Sequence, residues 1–371
     1  MNTQRVVPSA VAQPDTALLV DSAKRALPRM YLPGTAQFVQ TARRSSSGLR
    51  GEGTNLRYAA IVALGAARLD EAEQRALLAG NDATQLTEAV TAQARTSTDL
   101  GAAALAAWAA AEVAGAADPE LVARLVAAAR SGQPAPTVDL AWTLTALLAV
   151  RAMSDVEADA DQLAARLRIA QGAQGTFPHA VPRDGLPWYR AHVGCFADQV
   201  YPIQALARHH AATADPNSLS AAARCAERIV RLQGDAGQWW WHYDVRTGEV
   251  VEGYPVYSVH QHAMAPMALR DLRAAGGVDY QLAVNRGLSW VFDPPEAAAG
   301  LIDDDTGAIW RKVGRRERRK AVRSIRSVTT AMSPRLRLRL LDRVCPAGVI
   351  DYECRPYELG WLLYAWVGAR R

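Results

Sequence analysis

Six stretches of this chain are apolar around nearly the whole circumference of a helix. They read "TNLRYAAIVALGAARL" from Thr54, "TDLGAAALAAWAAAEV" from Thr98, "VDLAWTLTALLAVRAM" from Val138, "VGCFADQVYPIQALARHH" from Val193, "YPVYSVHQHAMAPMALRDL" from Tyr254 and "ECRPYELGWLLYAWVGAR" from Glu353. Between them lie segments such as "DPELVARLVAAAR" and "LSAAARCAERIVRL", with one charged stripe and one apolar stripe. The first kind reads as helices buried on most sides, the second as helices with one wet face. Early starts about 40 to 60 residues apart suit helix-pair repeats. The simplest closed arrangement is all-α, an (α/α)6 toroid of six inner and six outer helices; an open superhelical solenoid is the alternative. Residues 1–50 read as an N-terminal extension with the first outer helix. Residues 51–371 read as a single toroid domain with a basic helical insertion at about 311–343.

Three turns before inner helices share a chemistry: "QGAQGTF" at Gln171, "QGDAGQW" at Gln233 and "DDDTGAIW" at Asp303. Each sets a Gly two or three residues before an aromatic, and Gly permits the tight reversal that folds the ring back onto its neighbours. "RCAERIVRLQGDAGQW" resembles the QW motif of squalene–hopene cyclases, in the terpenoid cyclase and protein prenyltransferase superfamily of α/α toroids. The architecture also resembles that of six-hairpin glycosidases. The cyclase resemblance implies a DxDDT acid element, and "IDDDT" departs from it because Ile302 stands where the first Asp would be.

Antiparallel pairing brings every inner helix start to one rim, so these residues are expected around one mouth. Asp198 and Asp304 are the expected carboxyl pair, with Glu358 in reserve and His260 and Tyr257 as proton-transfer partners. Arg57 and Arg355 are expected anion clamps, and Trp240 and Trp310 stacking platforms. Tyr58, Gln199, Tyr201, His242, Gln261 and Tyr357 complete the substrate-binding set. Such a lining suits a polyol, with indole faces on sugar C–H groups and polar groups on hydroxyls. Asp99 and Asp139, at helix starts, read first as N-caps.

Composition narrows the function further. Half of the 371 residues are hydrophobic and 21% are charged, ordinary for a folded globular chain. The four cysteines are far apart, without a Cys-x-x-Cys or a neighbouring Cys–His pair, so reduced thiols and neither metal nor cofactor are expected. No apolar run reaches the length of a spanning helix, and the start lacks a basic leader, which predicts a cytoplasmic protein. From Arg311 to Arg343 the local charge is +11, against +5 for the whole chain. This block reads as a solvated face or as a helix docking on an anionic membrane surface. It lacks the interleaved aromatics of a nucleic-acid site, so no nucleic acid is expected.

The expected function is a carbohydrate-active enzyme: a glycoside hydrolase, lyase or uronate epimerase acting on a sugar or lipid-linked glycan. The alternatives are a small terpenoid cyclase with Asp304 as the acid, and a non-catalytic scaffold with a basic docking surface.

Overall fold

The computed structural model describes residues 14–183, 186–317, 320–336, 338 and 340–368. The first thirteen residues, and Arg318, Arg319, Arg337 and Arg339 of the basic block, lie outside them. Twelve helices form the frame. The outer ones are α1 (Thr16–Ala26), α3 (Ala83–Thr96), α5 (Pro119–Arg130), α7 (Glu157–Ala170), α9 (Pro216–Arg231) and α11 (Gln281–Phe292). The inner ones are α2 (Leu56–Ala66), α4 (Leu100–Ala114), α6 (Thr137–Val150), α8 (Ala197–Thr213), α10 (a π-turn His260–Met264 continuing as Ala265–Ala274) and α12 (Pro356–Trp366). Each inner helix packs on the next, and α12 returns to α2, so the ring closes into the expected (α/α)6 toroid. The first outer helix, α1, packs on the last inner one, α12.

Small side chains allow this closure. A Cβ on Gly65 of α2 would run into the Gly360 carbonyl of α12, so two glycines set the closest approach at the seam. Along α4, Gly101 to Ala110 is an unbroken buried run that includes seven alanines and Trp108. Outer helices take ordinary starts: Asp15, Asp82, Asp118 and Asp215 accept backbone N–H groups as N-caps.

The three glycine turns tie successive outer helices together. Gln171 Nε2 donates to the Gly175 carbonyl of its own turn and to the Ala221 carbonyl on α9, both at 2.8 Å. Gln233 repeats this on Gly237 and on Ala283 of α11, both at 2.9 Å. At Gly175, Gly237 and Gly307 φ is +94°, +96° and +75°, a region that suits glycine. A Cβ there would meet the carbonyls of Arg224, Arg286 and Ser22 respectively. The third turn therefore presses on α1 and joins the segment after the last outer helix to the first outer helix.

Short strands at the rim connect outer to inner helices. Val193–Cys195 pairs with His242–Asp244, which pairs with Val250–Glu252. Val256–Tyr257 pairs with Lys312–Arg315, and that with Ala347–Asp351. Ala135–Pro136 pairs with Ala180–Val181. The basic block is built into this rim. Arg315 donates to Glu252 at 2.9 Å, and Arg326 reaches Glu252 at 3.1 Å and Asp342 at 2.8 Å. The helix Ala321–Met332 packs on the Val250–Glu252 strand. Among the described residues nothing supports membrane docking by this segment: these guanidiniums are turned to the buried Glu252 and to Asp342. No helix among the described residues is long and apolar enough to cross a membrane.

Candidate active site

The inner helix starts converge on a cavity of about 450 Å³. Arg57, Tyr58 and Ile61 enter it from α2, Trp142 from α6, Tyr201 from α8, His260 and Met264 from α10, and Tyr357 from α12. Arg355 caps that last helix, while Cys195, Trp241, Tyr257 and Arg311 arrive from or beside the rim strands. Two indoles, four tyrosine rings and three guanidiniums thus share one chamber.

Every cavity guanidinium has a carboxylate behind it. Arg57 spans three inner helices, with Nε 2.7 Å from Asp99 and Nη1 2.8 Å from Asp139, and its guanidinium lies 5.4 Å from the Trp142 ring. Asp99 is also the N-cap of α4. Burial pulls its carboxyl pKa upward, but the Arg57 hydrogen bonds and charge outweigh that and hold it low. Asp139 caps nothing; it lies inside the first turn of α6, and deeper burial raises its carboxyl despite Arg57. Arg311 donates to Glu358 at 3.0 Å and stands over Tyr257 at 4.9 Å. Burial raises the Glu358 carboxyl against the pull of Arg311 and Arg355. Arg355 donates to Tyr58 at 3.1 Å and to Glu353 at 3.3 Å, and its Nε is buried without a partner.

A second polar group adjoins Cys195. Asp198 is fully buried, and its Oδ2 lies 3.0 Å from His179 Nδ1 and accepts the Cys195 N–H at 2.6 Å. Its Oδ1 has no partner. The His179 side chain is 42% exposed, and its backbone carbonyl is pinned by the Thr137 N–H at 3.0 Å. The Asp198 hydrogen bond and charge raise the pKa of His179. Burial, reinforced by Asp198, pushes the Cys195 thiol well up.

Of the expected site residues, Arg57, Tyr58, Tyr201, Tyr257, His260, Arg355 and Tyr357 reach the cavity. Asp198 stands one layer behind it. Glu358 is buried and engaged twice, accepting from Arg311 and from the Arg355 backbone N–H. His260 lies against Phe196, ring centroids 4.4 Å apart; burial, and Arg311 after it, lower its pKa to about 3.

Other expectations are corrected. Asp304 and Asp198 form no pair: Asp304 is exposed on the turn that presses on α1, where its carbonyl accepts from Arg25. Gln199 and Gln261 are fully buried and hold backbone instead of substrate. Gln199 clamps Phe177 N–H at 2.7 Å and Gln261 clamps Trp239 N–H at 3.1 Å, fastening the aromatics of the first two glycine turns. Trp240 is wedged between Gly234 and Gly253, its Nε1 donating to the Leu232 carbonyl at 2.8 Å. Trp310 is buried against Tyr352. His242 lies beneath Trp241 at 4.0 Å, so it backs the cavity ring without facing the chamber. The stacking faces present are Trp142 and Trp241.

The sequence reading missed His179. "TFPHAV" carries no periodic pattern, and the residue is far from Asp198 along the chain. Its only signal is a lone histidine between a glycine turn and an inner helix.

No family model and no curated protein matches the chain. Among solved structures, an unsaturated glucuronyl hydrolase specific for heparin is similar, with 14% identity and a TM-score of 0.59 over 94% of both chains. The unsaturated glucuronyl hydrolase from Bacillus sp. GL1 is similar at 13% identity and TM-score 0.59, over 96% of this chain and 97% of that one. A glycosyl hydrolase family 88 protein from Bacteroides vulgatus is similar at 10% and 0.57, over 94% and 97%. At these identities the likeness is one of fold. It gives no support to the terpenoid cyclase resemblance and bears out the (α/α)6 toroid fold.

Proposed function

We propose that this protein is a carbohydrate-active enzyme of the acid–base type that holds an acidic sugar in the cavity. One observation carries the reading: Trp142, Trp241, Arg311 and Arg355 line the same chamber of about 450 Å³. Indole faces suit the C–H faces of a pyranose, and paired guanidiniums suit a carboxylate or phosphate on it. The shared fold with glycoside hydrolases supports the reading without fixing the reaction.

Glycoside hydrolysis, elimination and uronate epimerisation all need proton transfer beside the bound ring. The His179–Cys195–Asp198 corner, of which Cys195 lines the chamber, supplies the reactive groups, and Asp198, itself enclosed, acts through its neighbours. Arg57, held by two carboxylates, positions the wall more than it binds charge.

The test is turnover on a panel of oligosaccharides ending in saturated or unsaturated uronates, with neutral analogues as controls and products read by mass spectrometry. The expected result is preference for the acidic set, a loss of at least about 100-fold in Asp198→Asn, and little change in Asp304→Asn. Equal turnover of neutral and acidic substrates, or full activity in Asp198→Asn, would refute it.

A further inference from the structure

We infer that His179, Cys195 and Asp198 form a zinc site on the cavity wall. One ligand atom from each, an imidazole nitrogen, the Sγ and a carboxylate oxygen, lies within 4.8 Å of the others. This inference goes beyond the sugar reading and stands on the geometry of the corner alone.

Three observations converge. Asp198 is a fully enclosed carboxylate with no Lys or Arg at ion-pair distance among the described residues; its one charged partner is His179. An isolated buried carboxylate is costly, and a divalent cation offsets that cost. Its Oδ1 is buried without any partner, although Oδ2 accepts from Cys195 N–H. Finally, Cys195 belongs to the cavity wall, so three protein ligands leave a fourth position toward the chamber. A mixed N, S and O set of three with one open place is the pattern of zinc at reactive centres.

Local structure prepares the set. The strand Val193–Cys195 ends at the thiol, and α8 begins two residues later, which places Asp198 one turn on. His179 is held opposite by its carbonyl bond to Thr137. Zinc binding takes the protons of the thiol and of any imidazolium into solvent. The ion then replaces the proton that joins His179 to Asp198.

The full chain, stripped with a chelator and dialysed under reducing conditions, is titrated with zinc sulfate and, separately, with cobalt(II). The expected result is a single tightly held zinc by metal analysis. Cobalt should give a near-ultraviolet thiolate-to-metal absorption band. Cys195→Ser should abolish that band, and Cys195→Ser and His179→Gln should each weaken zinc binding roughly 100-fold or more. Circular dichroism verifies the fold, and His179→Gln, at a half-exposed position, keeps the test decisive if the buried variant is unstable. No zinc uptake, the outcome for a corner that holds only a proton, overturns the proposal. So does uptake that is unchanged in both variants.

Discussion

Arg57 on the first inner helix and Asp139 on the third meet at 2.8 Å across the mouth of the ring. The same guanidinium holds Asp99 on the helix between them at 2.7 Å. Gly101 makes the crossing possible, because a Cβ there would collide with the Arg57 guanidinium. Three helix starts are therefore fixed by one side chain.

Removing that side chain leaves two carboxylates facing each other. Arg57→Ala is expected to lose about 3 kcal/mol in urea unfolding, the scale for breaking a largely buried pair by one partner. Asp139→Asn should cost less, since burial already raises its carboxyl and Asp99 still holds the guanidinium. An Arg57→Ala variant as stable as the parent would remove this pair from any account of the rim.

Trp240 and Trp241 are neighbours in sequence and opposite in role. Trp241→Ala is expected to weaken binding of an acidic oligosaccharide by roughly 10- to 100-fold, with the unfolding midpoint little changed. Trp240→Ala empties a wedge between two glycines and is expected to cost about 3 kcal/mol of stability. Calorimetric titration with urea unfolding on both variants separates the two effects; a reversed pattern would place the sugar elsewhere.

The glycine turns make a third prediction. Gln233→Leu deletes two hydrogen bonds to backbone carbonyls and leaves those acceptors buried, a loss of about 1 to 3 kcal/mol. Gly237→Ala should cost more, because φ is +96° and the added methyl meets the Arg286 carbonyl. Thermal unfolding of both variants checks the order.

Buried histidines set the pH response. Burial lowers His260 and His262 to about 3 and His192 to about 4, against 6.5 for a free imidazole. Between pH 6.5 and those values the unfolded chain binds protons that the folded one refuses. Their contribution to stability is complete above 6.5 and falls as pH drops, by about 1.4 kcal/mol per unit for each group. His262 is fully enclosed, and both ring nitrogens lack partners. His262→Leu is expected to recover about 2 kcal/mol at pH 5 relative to pH 7.5. Parallel unfolding curves of the two proteins at both pH values would contradict this.

The ring could be read in the chain because its cause is local. Alanine-rich runs such as Gly101 to Ala110 have no wet face, and a helix of that kind can be satisfied only inside other helices. The glycine turns were legible for the same reason: positive φ and a nearby aromatic are properties of a few consecutive residues. The convergence of Arg57, Tyr58, Tyr201, Tyr257, His260, Arg355 and Tyr357 follows once the inner helices share a direction.

Which polar side chains face the chamber was settled only by packing. Gln199 sits two residues from the lining positions Ala197 and Tyr201, and Gln261 one from His260, yet each turns to the backbone of a glycine turn. Asp304 belongs to a hairpin whose destination is α1, a contact across 279 positions of the chain that no periodicity encodes. His179 meets Cys195 and Asp198 because Gln199 of α8 grips the Phe177 N–H and the Thr137 N–H holds the His179 carbonyl, contacts between segments far apart in the chain. Helix pattern is written in spacing along the chain. The chemistry of the mouth depends on angles and distances between segments, which only the closed ring supplies.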